Sequence, residues 1–411
     1  MKNVLYVTHR VPWPPNRGDR IRTYNIIRYL GQRCRLYVAT FADEAPAADA
    51  TEELGKYCES VAIVPVGATR WMHAAVSFAT GKTVTEGLFH SSAFADVVRN
   101  WSESIQFDAV LASSSGVARY LDIDPLSGAR KWVDLIDVDS EKWLDYATTS
   151  NPVMAQVYKR EGLRLRGIEK QLAKDCDRLT VVTDAEVEVF RDFSQDGHVS
   201  AVTNGVDLEF FKRPEDTQEE LKCVFVGVLN YKPNSDGVAW FCEQVWPLVR
   251  AKHPTARFEI VGRDPSPEVL ALDQIDGVDV VGPVDDIRPY LWSASAIVTP
   301  MLISRGVQNK VLEAFAAERP LISSAPPLVG LDIELGTHAI KAETPQQWVD
   351  SIDMLFTDAG KRKSLGQASR EWVVGHHRWD VCLEEFSDLL TDDSDCRSSE
   401  LVAVGEEEKS E

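Results

Sequence analysis

Ser304-Arg305-Gly306-Val307-Gln308-Asn309-Lys310-Val311-Leu312-Glu313-Ala314-Phe315 decides how the chain is read. It follows an apolar strand at 296–299 after a short loop, and its apolar residues then recur at helical spacing, which predicts a helix over about 307–318. Where a loop with a glycine opens a helix, the helix-start N–H groups, here at Gly306 to Gln308, would point at an anion. Lys310, one turn in, adds a point charge. Each hydrogen bond to a charged partner contributes about 1.5–3 kcal/mol, so three or four suffice to hold a diphosphate. Glu313 lies about one turn further on, where a carboxylate can accept both hydroxyls of a ribose. The pattern equally fits an ordinary amphipathic helix with a solvent-exposed Lys/Glu pair.

Outward from this segment, short β-rich apolar runs alternate with amphipathic stretches along the whole chain, the signature of parallel sheets built from βαβ units. Strands are expected at 3–8, 35–40, 61–65, 108–112, 131–136, 178–182 and 199–202, then at 222–227, 257–261, 278–281, 296–299 and 320–323. Helical patterns lie at 20–31, 91–102, 153–176 and 184–193, then at 235–251, 286–293, 307–318, 345–357 and 361–390. A length of 411 residues suits two α/β domains. The polar stretch 206–220, with Pro214 and an acidic cluster, divides them. The expected organisation is an N-terminal Rossmann-like domain over 1–205, a linker over 206–220 and a second Rossmann-like domain over 221–372. A helix over 373–390 crosses back onto the first domain, and 391–411 form a disordered acidic tail.

Composition removes several classes. With 44 Lys and Arg against 64 Asp and Glu, the net charge of −20 argues against a general nucleic-acid binder, which would need a basic face. Seven scattered cysteines without a C-x-x-C pair argue for a reducing cytoplasm and against a disulfide framework or zinc site. Val4-Leu5-Tyr6-Val7 is a strand's length, too short for a signal peptide core, and no apolar stretch of membrane-spanning length exists. No P-loop, G-x-S-x-G or post-strand G-x-G-x-x-G pattern is found.

In Pro14-Pro15-Asn16-Arg17-Gly18-Asp19-Arg20-Ile21-Arg22, between the first strand and first helix, Gly18 permits close backbone approach to a ligand. Arg10, Arg17, Arg20, Arg22, Arg28, Arg33 and Arg35 crowd this region with Asp19 as the one intervening acid. Phosphate binding and a solvated helix face are both open readings. Asp137-Val138-Asp139 ends the strand 131–136 and mimics a metal-binding Asp-x-Asp. Asp137 is expected instead to contact an acceptor, because ligands gather at the carboxyl ends of parallel strands. Helix 153–176 sets Lys159, Arg160, Arg164, Arg166, Lys170 and Lys174 around Met154, Val157, Leu165, Ile168 and Leu172. It suits either peripheral membrane contact or a solvated core helix in which Glu161, Glu169 and Asp175 interrupt the charge. No histidine set suits a metal.

The segment around Lys310 resembles the nucleotide-binding helix of family 4 glycosyltransferases, which have the GT-B fold and retain anomeric configuration. That family carries two glutamates eight positions apart; Leu312-Glu313-Ala314 matches the second, the ribose contact, and Arg305 stands in the place of the first. Asn204-Gly205-Val206-Asp207 resembles the family's interdomain segment. Phe225 to Asn234, with Gly227, sits where the family places its Gly-Arg-Leu strand end and a phosphate-binding lysine, though Val228 replaces the arginine and Lys232 is out of register. Ile260-Val261-Gly262 resembles the next glycine turn. Gly18-Asp19-Arg20-Ile21-Arg22, Val138 to Trp143, Pro289-Tyr290-Leu291 and Gln308 to Ala314 are similar to stretches of the exosortase (PEP-CTERM)-associated exopolysaccharide subgroup.

The resemblance implies an α/β GT-B fold, two Rossmann-like domains whose parallel sheets face each other across a cleft. It implies retaining transfer of a sugar, without metal or other cofactor, from a UDP- or GDP-sugar to a glycan or polyprenyl-phosphate-linked acceptor at the inner face of the membrane. Donor contacts would come from Gly18, Arg20, Gly227, Gly306, Gln308, Asn309, Lys310 and Glu313, with Asp137 and Arg305 at the reaction centre. Two rival expectations are a sugar-nucleotide epimerase and a noncatalytic GT-B subunit that binds a glycan or lipid carrier.

Overall fold

The computed structural model describes residues 1–304 and 306–391. The roles expected of Arg305 and of the tail beyond Thr391 therefore lie outside the described residues. The chain divides into two compact units: Met1–Val202 joined by the segment that begins at Leu383, and Thr203–Cys382.

The first unit is built on a parallel sheet of β1 (Asn3–Thr8), β2 (Arg35–Ala42), β3 (Ser60–Pro65), β4 (Ala109–Ala112), β5 (Arg130–Ile136), β6 (Arg178–Val181) and β7 (Val199–Ala201). Their order is β3-β2-β1-β4-β5-β6-β7. Strands covered on both faces read as unbroken apolar runs, which is why Val4 to Val7 and Ala109 to Ala112 are all fully buried. Val7, Val110, Val133, Phe41 and Phe94 lie in one core cluster, and the rings of Phe41 and Phe94 stack at 4.0 Å. The helix Gly18–Gly31 follows β1, and Ser92–Ser104 and Pro152–Asp175 precede β4 and β6. Arg70–Ala79 and Val84–Leu88 are further helices, in a region where none was expected.

The second unit repeats the plan with β8 (Glu220–Val226), β9 (Arg257–Val261), β10 (Val278–Gly282), β11 (Ala294–Thr299), β12 (Leu321–Ser323) and β13 (Ile340–Lys341), ordered β10-β9-β8-β11-β12-β13 and all parallel. Two clusters form its core. One holds Phe241, Trp246, Phe258 and Trp348; the other holds Val311, Leu312, Phe315 and Trp372. The helix expected over 235–251 is two, Lys232–Gln244 and Trp246–Lys252, because Pro247 lacks the N–H that would continue the first.

Two boundaries differ from those read in the sequence. Residues 206–220 are an integral part of the second unit rather than a linker: Phe211 is in its core, and Glu219 accepts from Arg319 at 2.9 Å and Arg362 at 2.7 Å. The late helix also stops early, running Ala359–His376 within the second unit. His377 leaves the helical conformation, its carbonyl accepts from Val206 N at 2.8 Å, and its ring Nδ1 lies 2.6 Å from Asn204 O. Only the 3₁₀ segment Glu384–Leu390, with Leu383 before it, returns to the first unit. There Leu383, Phe386 and Leu389 are fully buried, and Arg178 pairs with Glu385 at 2.8 Å.

Candidate active site

In the second unit the expected donor residues gather at the carboxyl ends of β8 and β11. Gly227 follows β8, and a Cβ on it would meet Asn234 Nδ2 at 2.9 Å. Gly262, after β9, has φ +154°, and a Cβ there would fall 1.7 Å from Gly227 O. The turn at Gly262 therefore requires glycine. Gly306 has φ +61°, so the loop after β11 turns sharply before Gln308, the residue that caps the helix Asn309–Ala316. The helix starts later than expected, at Asn309 after the cap Gln308, and Gly306 lies in the loop before it.

Lys310 is half-buried. Its Nζ donates to Asn234 Oδ1 at 2.6 Å, lies 3.3 Å from Met301 Sδ, and sits 4.8 Å from the centre of the Phe225 ring. Burial pushes its ammonium down to about 7, opposed by the Glu313 carboxylate. Burial likewise pushes Glu313 up to about 7, opposed by Lys310. Both groups are thus held at reduced charge, in a site that gains from an incoming anion. Asn234 is itself buried and donates from Nδ2 to Val228 O at 2.9 Å, which fixes its amide so that the oxygen faces the lysine. Asn309 Oδ1 accepts from Asn204 Nδ2 at 3.2 Å. Thr299 Oγ1 and Ser304 Oγ, on either side of the loop, are buried without a hydrogen-bond partner among the described residues, as expected of groups that await a polar ligand or water. Lys232, by contrast, is exposed and pairs with Asp236 at 2.7 Å.

The first unit disposes of its arginines differently. Arg22 is buried and grips Asp134 with Nε at 2.7 Å and Nη2 at 2.8 Å. Arg20 is buried and paired with Glu44, with Asp43 also within 3.8 Å. Arg10 bridges Asp19 at 2.6 Å and Asp43 at 2.8 Å, and Arg17 pairs with Asp19 at 3.0 Å. These ion pairs organise the loop, and the exposed Gly18 starts the helix beside them. His9 is held between Ser113 Oγ, 2.8 Å from its Nδ1, and Asp19, 3.4 Å from its Nε2.

Asp137 follows β5 directly after Ile136, which has φ +69°. A β-branched residue rarely adopts that conformation, and the register of β5 against β6 shifts at this point. The bend turns Asp137 away from the strand, with its N–H on Leu135 O at 2.9 Å. Burial, then the neighbouring Glu186 carboxylate, raises its pKa to about 6, so it carries a proton more readily than an ordinary aspartate. Asp139 accepts from Ser115 Oγ at 3.4 Å and is also raised by burial.

Comparison with known proteins defines the class first. Over 95% of its length the chain superposes on a sucrose-phosphate synthase from Thermosynechococcus elongatus, covering 98% of that chain with a TM-score of 0.70 at 15% identity. It superposes to the same extent on Anabaena HepE in complex with UDP-glucose, covering 99% of that chain with a TM-score of 0.65 at 12% identity. The glycosyltransferase WaaG, involved in lipopolysaccharide biosynthesis, is covered completely, with a TM-score of 0.65 at 13% identity. The chain thus has a two-domain α/β fold of the GT-B type. Within it, residues 220–358 match the family described as Glycosyl transferases group 1. Among curated proteins it is 24% identical over 121 residues to glycosyltransferase 1 domain-containing protein 1 of Xenopus tropicalis, a match spanning 29% of this chain and 35% of that relative.

Proposed function

We propose that the protein is a retaining glycosyltransferase that moves a sugar from a UDP- or GDP-sugar to a glycan or polyprenyl-phosphate-linked acceptor, in exopolysaccharide or other cell-surface glycan synthesis. The observation that carries this reading is the half-buried Lys310, held by Asn234 Oδ1 at 2.6 Å beside the start of a helix in the segment that matches the group 1 family. A donor diphosphate bound there would meet helix N–H groups and the lysine. Both would stabilise charge that builds on the leaving diphosphate without need of a metal. Glu313 would take the ribose hydroxyls. Asp137 is proposed to orient the acceptor hydroxyl, and Arg305 to add positive charge next to the donor. No helix among the described residues is long and apolar enough to cross a membrane, so a lipid-linked acceptor would be met from the membrane surface.

A thermal-shift panel of UDP-, GDP-, ADP- and dTDP-sugars tests the donor class, because a ligand of the folded state raises its stability with the logarithm of concentration over Kd. One nucleotide should stand out, and Glu313→Ala should remove its effect and the transfer of sugar from it. A donor converted to its epimer without acceptor would replace transfer with epimerisation. A flat panel would refute the reading.

A further inference from the structure

The helix Arg70–Ala79 in the first unit is built the wrong way round for a protein surface. Trp71, Met72 and Val76 are exposed at 64%, 58% and 55%, and Ala75 and Ala79 are exposed with them, so positions 71, 72, 75, 76 and 79 make one apolar face turned to solvent. Only Ala74 of this helix is buried. A contiguous apolar patch on an otherwise polar surface marks an interaction site.

The neighbouring helix, Pro152–Asp175, says what kind. Its two acidic residues before Asp175 are turned inward and used up. Glu161 is buried and accepts from Val84 N at 2.9 Å and Thr85 N at 3.1 Å. Glu169 is buried and accepts from Ser140 N at 3.0 Å. The exposed face therefore carries Lys159, Arg164 and Lys170, with Leu163 exposed at 52% among them. None of those three cations has an acidic partner among the described residues. The two helices are fastened together: the Arg160 guanidinium lies 3.8 Å from the centre of the Phe78 ring and donates to Phe78 O, and Arg164 borders Gly81. Arg70 and Lys82 extend the basic rim, and the segment 66–82 contains no acid.

We infer that the Trp71-Met72-Val76 face, with its rim of Lys159, Arg164, Arg70 and Lys82, docks the first unit on an anionic lipid surface. An apolar helix face with a tryptophan and flanking cations suits insertion at the headgroup boundary. In a chain of net charge −20, this local excess of positive charge is what makes contact with anionic lipid favourable. The inference gives a place to the membrane contact proposed above but does not depend on sugar transfer.

Co-sedimentation of the full chain with vesicles of phosphatidylcholine alone, or with one third phosphatidylglycerol, tests it. Binding is expected to the anionic vesicles, weakened by salt. Trp71→Ser combined with Val76→Ser should lower it by at least roughly tenfold. Lys159→Glu combined with Arg164→Glu should remove the preference for phosphatidylglycerol, again roughly tenfold, with melting temperature and donor-induced thermal shift unchanged in both variants. Absence of binding to anionic vesicles, or equal binding by the variants, overturns the inference. So does a concentration-dependent dimer that the serine variant abolishes while vesicle binding is absent, since the face would then belong to a second copy. Vesicle binding with a flat nucleotide panel would leave this inference standing and remove only the proposed reaction.

Discussion

Replacing Asp134 by alanine should destabilise the first unit by about 3–5 kcal/mol, the cost of leaving a buried charge without its partner. The structure makes this pair nearly inaccessible to water: Arg22 is 0% and Asp134 1% exposed. Both carboxylate oxygens are engaged by the guanidinium, Thr180 Oγ1 donates to Oδ1 at 2.8 Å, and Arg22 Nη1 donates to Val202 O at 2.7 Å. Despite desolvation, Asp134 holds the Arg22 pKa above its ordinary value, so the arginine cannot escape by losing its proton. Against a total of about 5–15 kcal/mol for a folded unit, the loss is a large fraction. In urea, with a slope of about 2–3 kcal/mol per molar for a unit of this size, it should move the midpoint down by roughly 1–2 M. Hydrogen exchange of β1 and β5 amides assigns the transition to this unit. Arg22→Met with Asp134→Leu should recover most of the stability, since an apolar pair of similar volume avoids the desolvation cost. A midpoint shift below about 0.3 M for Asp134→Ala, or a double variant as unstable as the single one, would refute the reasoning.

The second unit offers three further tests. Lys310→Met should weaken nucleoside diphosphate binding by about 10- to 100-fold in calorimetry. The same variant should be more stable than wild type at pH 7, with the gap closing toward pH 10. Lys310 titrates near 7 when folded and near its ordinary value when unfolded, so the unfolded chain binds more protons between those limits and wild-type stability rises with pH there. Urea midpoints at pH 7, 8.5 and 10 would show a constant gap if the lysine were not desolvated. Gly262→Ala should cost about 3 kcal/mol or more, because its Cβ would sit 1.7 Å from Gly227 O; a wild-type melting temperature in that variant would contradict the turn geometry.

Legibility in the sequence followed the range of the interactions. Strands such as β1 and β4 were readable because burial on both faces leaves a continuous apolar run. β13 was not, because Ile340–Lys341 is a two-residue edge pairing. The helix that opens at Asn309 was legible to within about two residues, since glycine loop, polar cap and apolar repeat are all local. The arginines after β1 were not, because their partners come from elsewhere in the chain: Glu44 is 24 positions from Arg20 and Asp134 is 112 from Arg22. Asn234 escaped for the same reason. It stands 76 positions from Lys310, and nothing local separates an amide that orients a half-buried lysine from one in a turn. The basic helix 153–176 fits two readings in the sequence because spacing alone does not tell which acids face inward.

The return of Leu383, Phe386 and Leu389 to the first unit fixes an order of events during synthesis. The ribosome finishes β1 to β7 early, yet the hydrophobic layer against Trp132 stays incomplete until the last segment emerges; the Phe386 ring packs 5.8 Å from that indole. Thr203–Cys382 needs nothing translated after itself and can close first, although it comes second in the message. A stop codon at 383 would thus injure the half of the molecule made earliest.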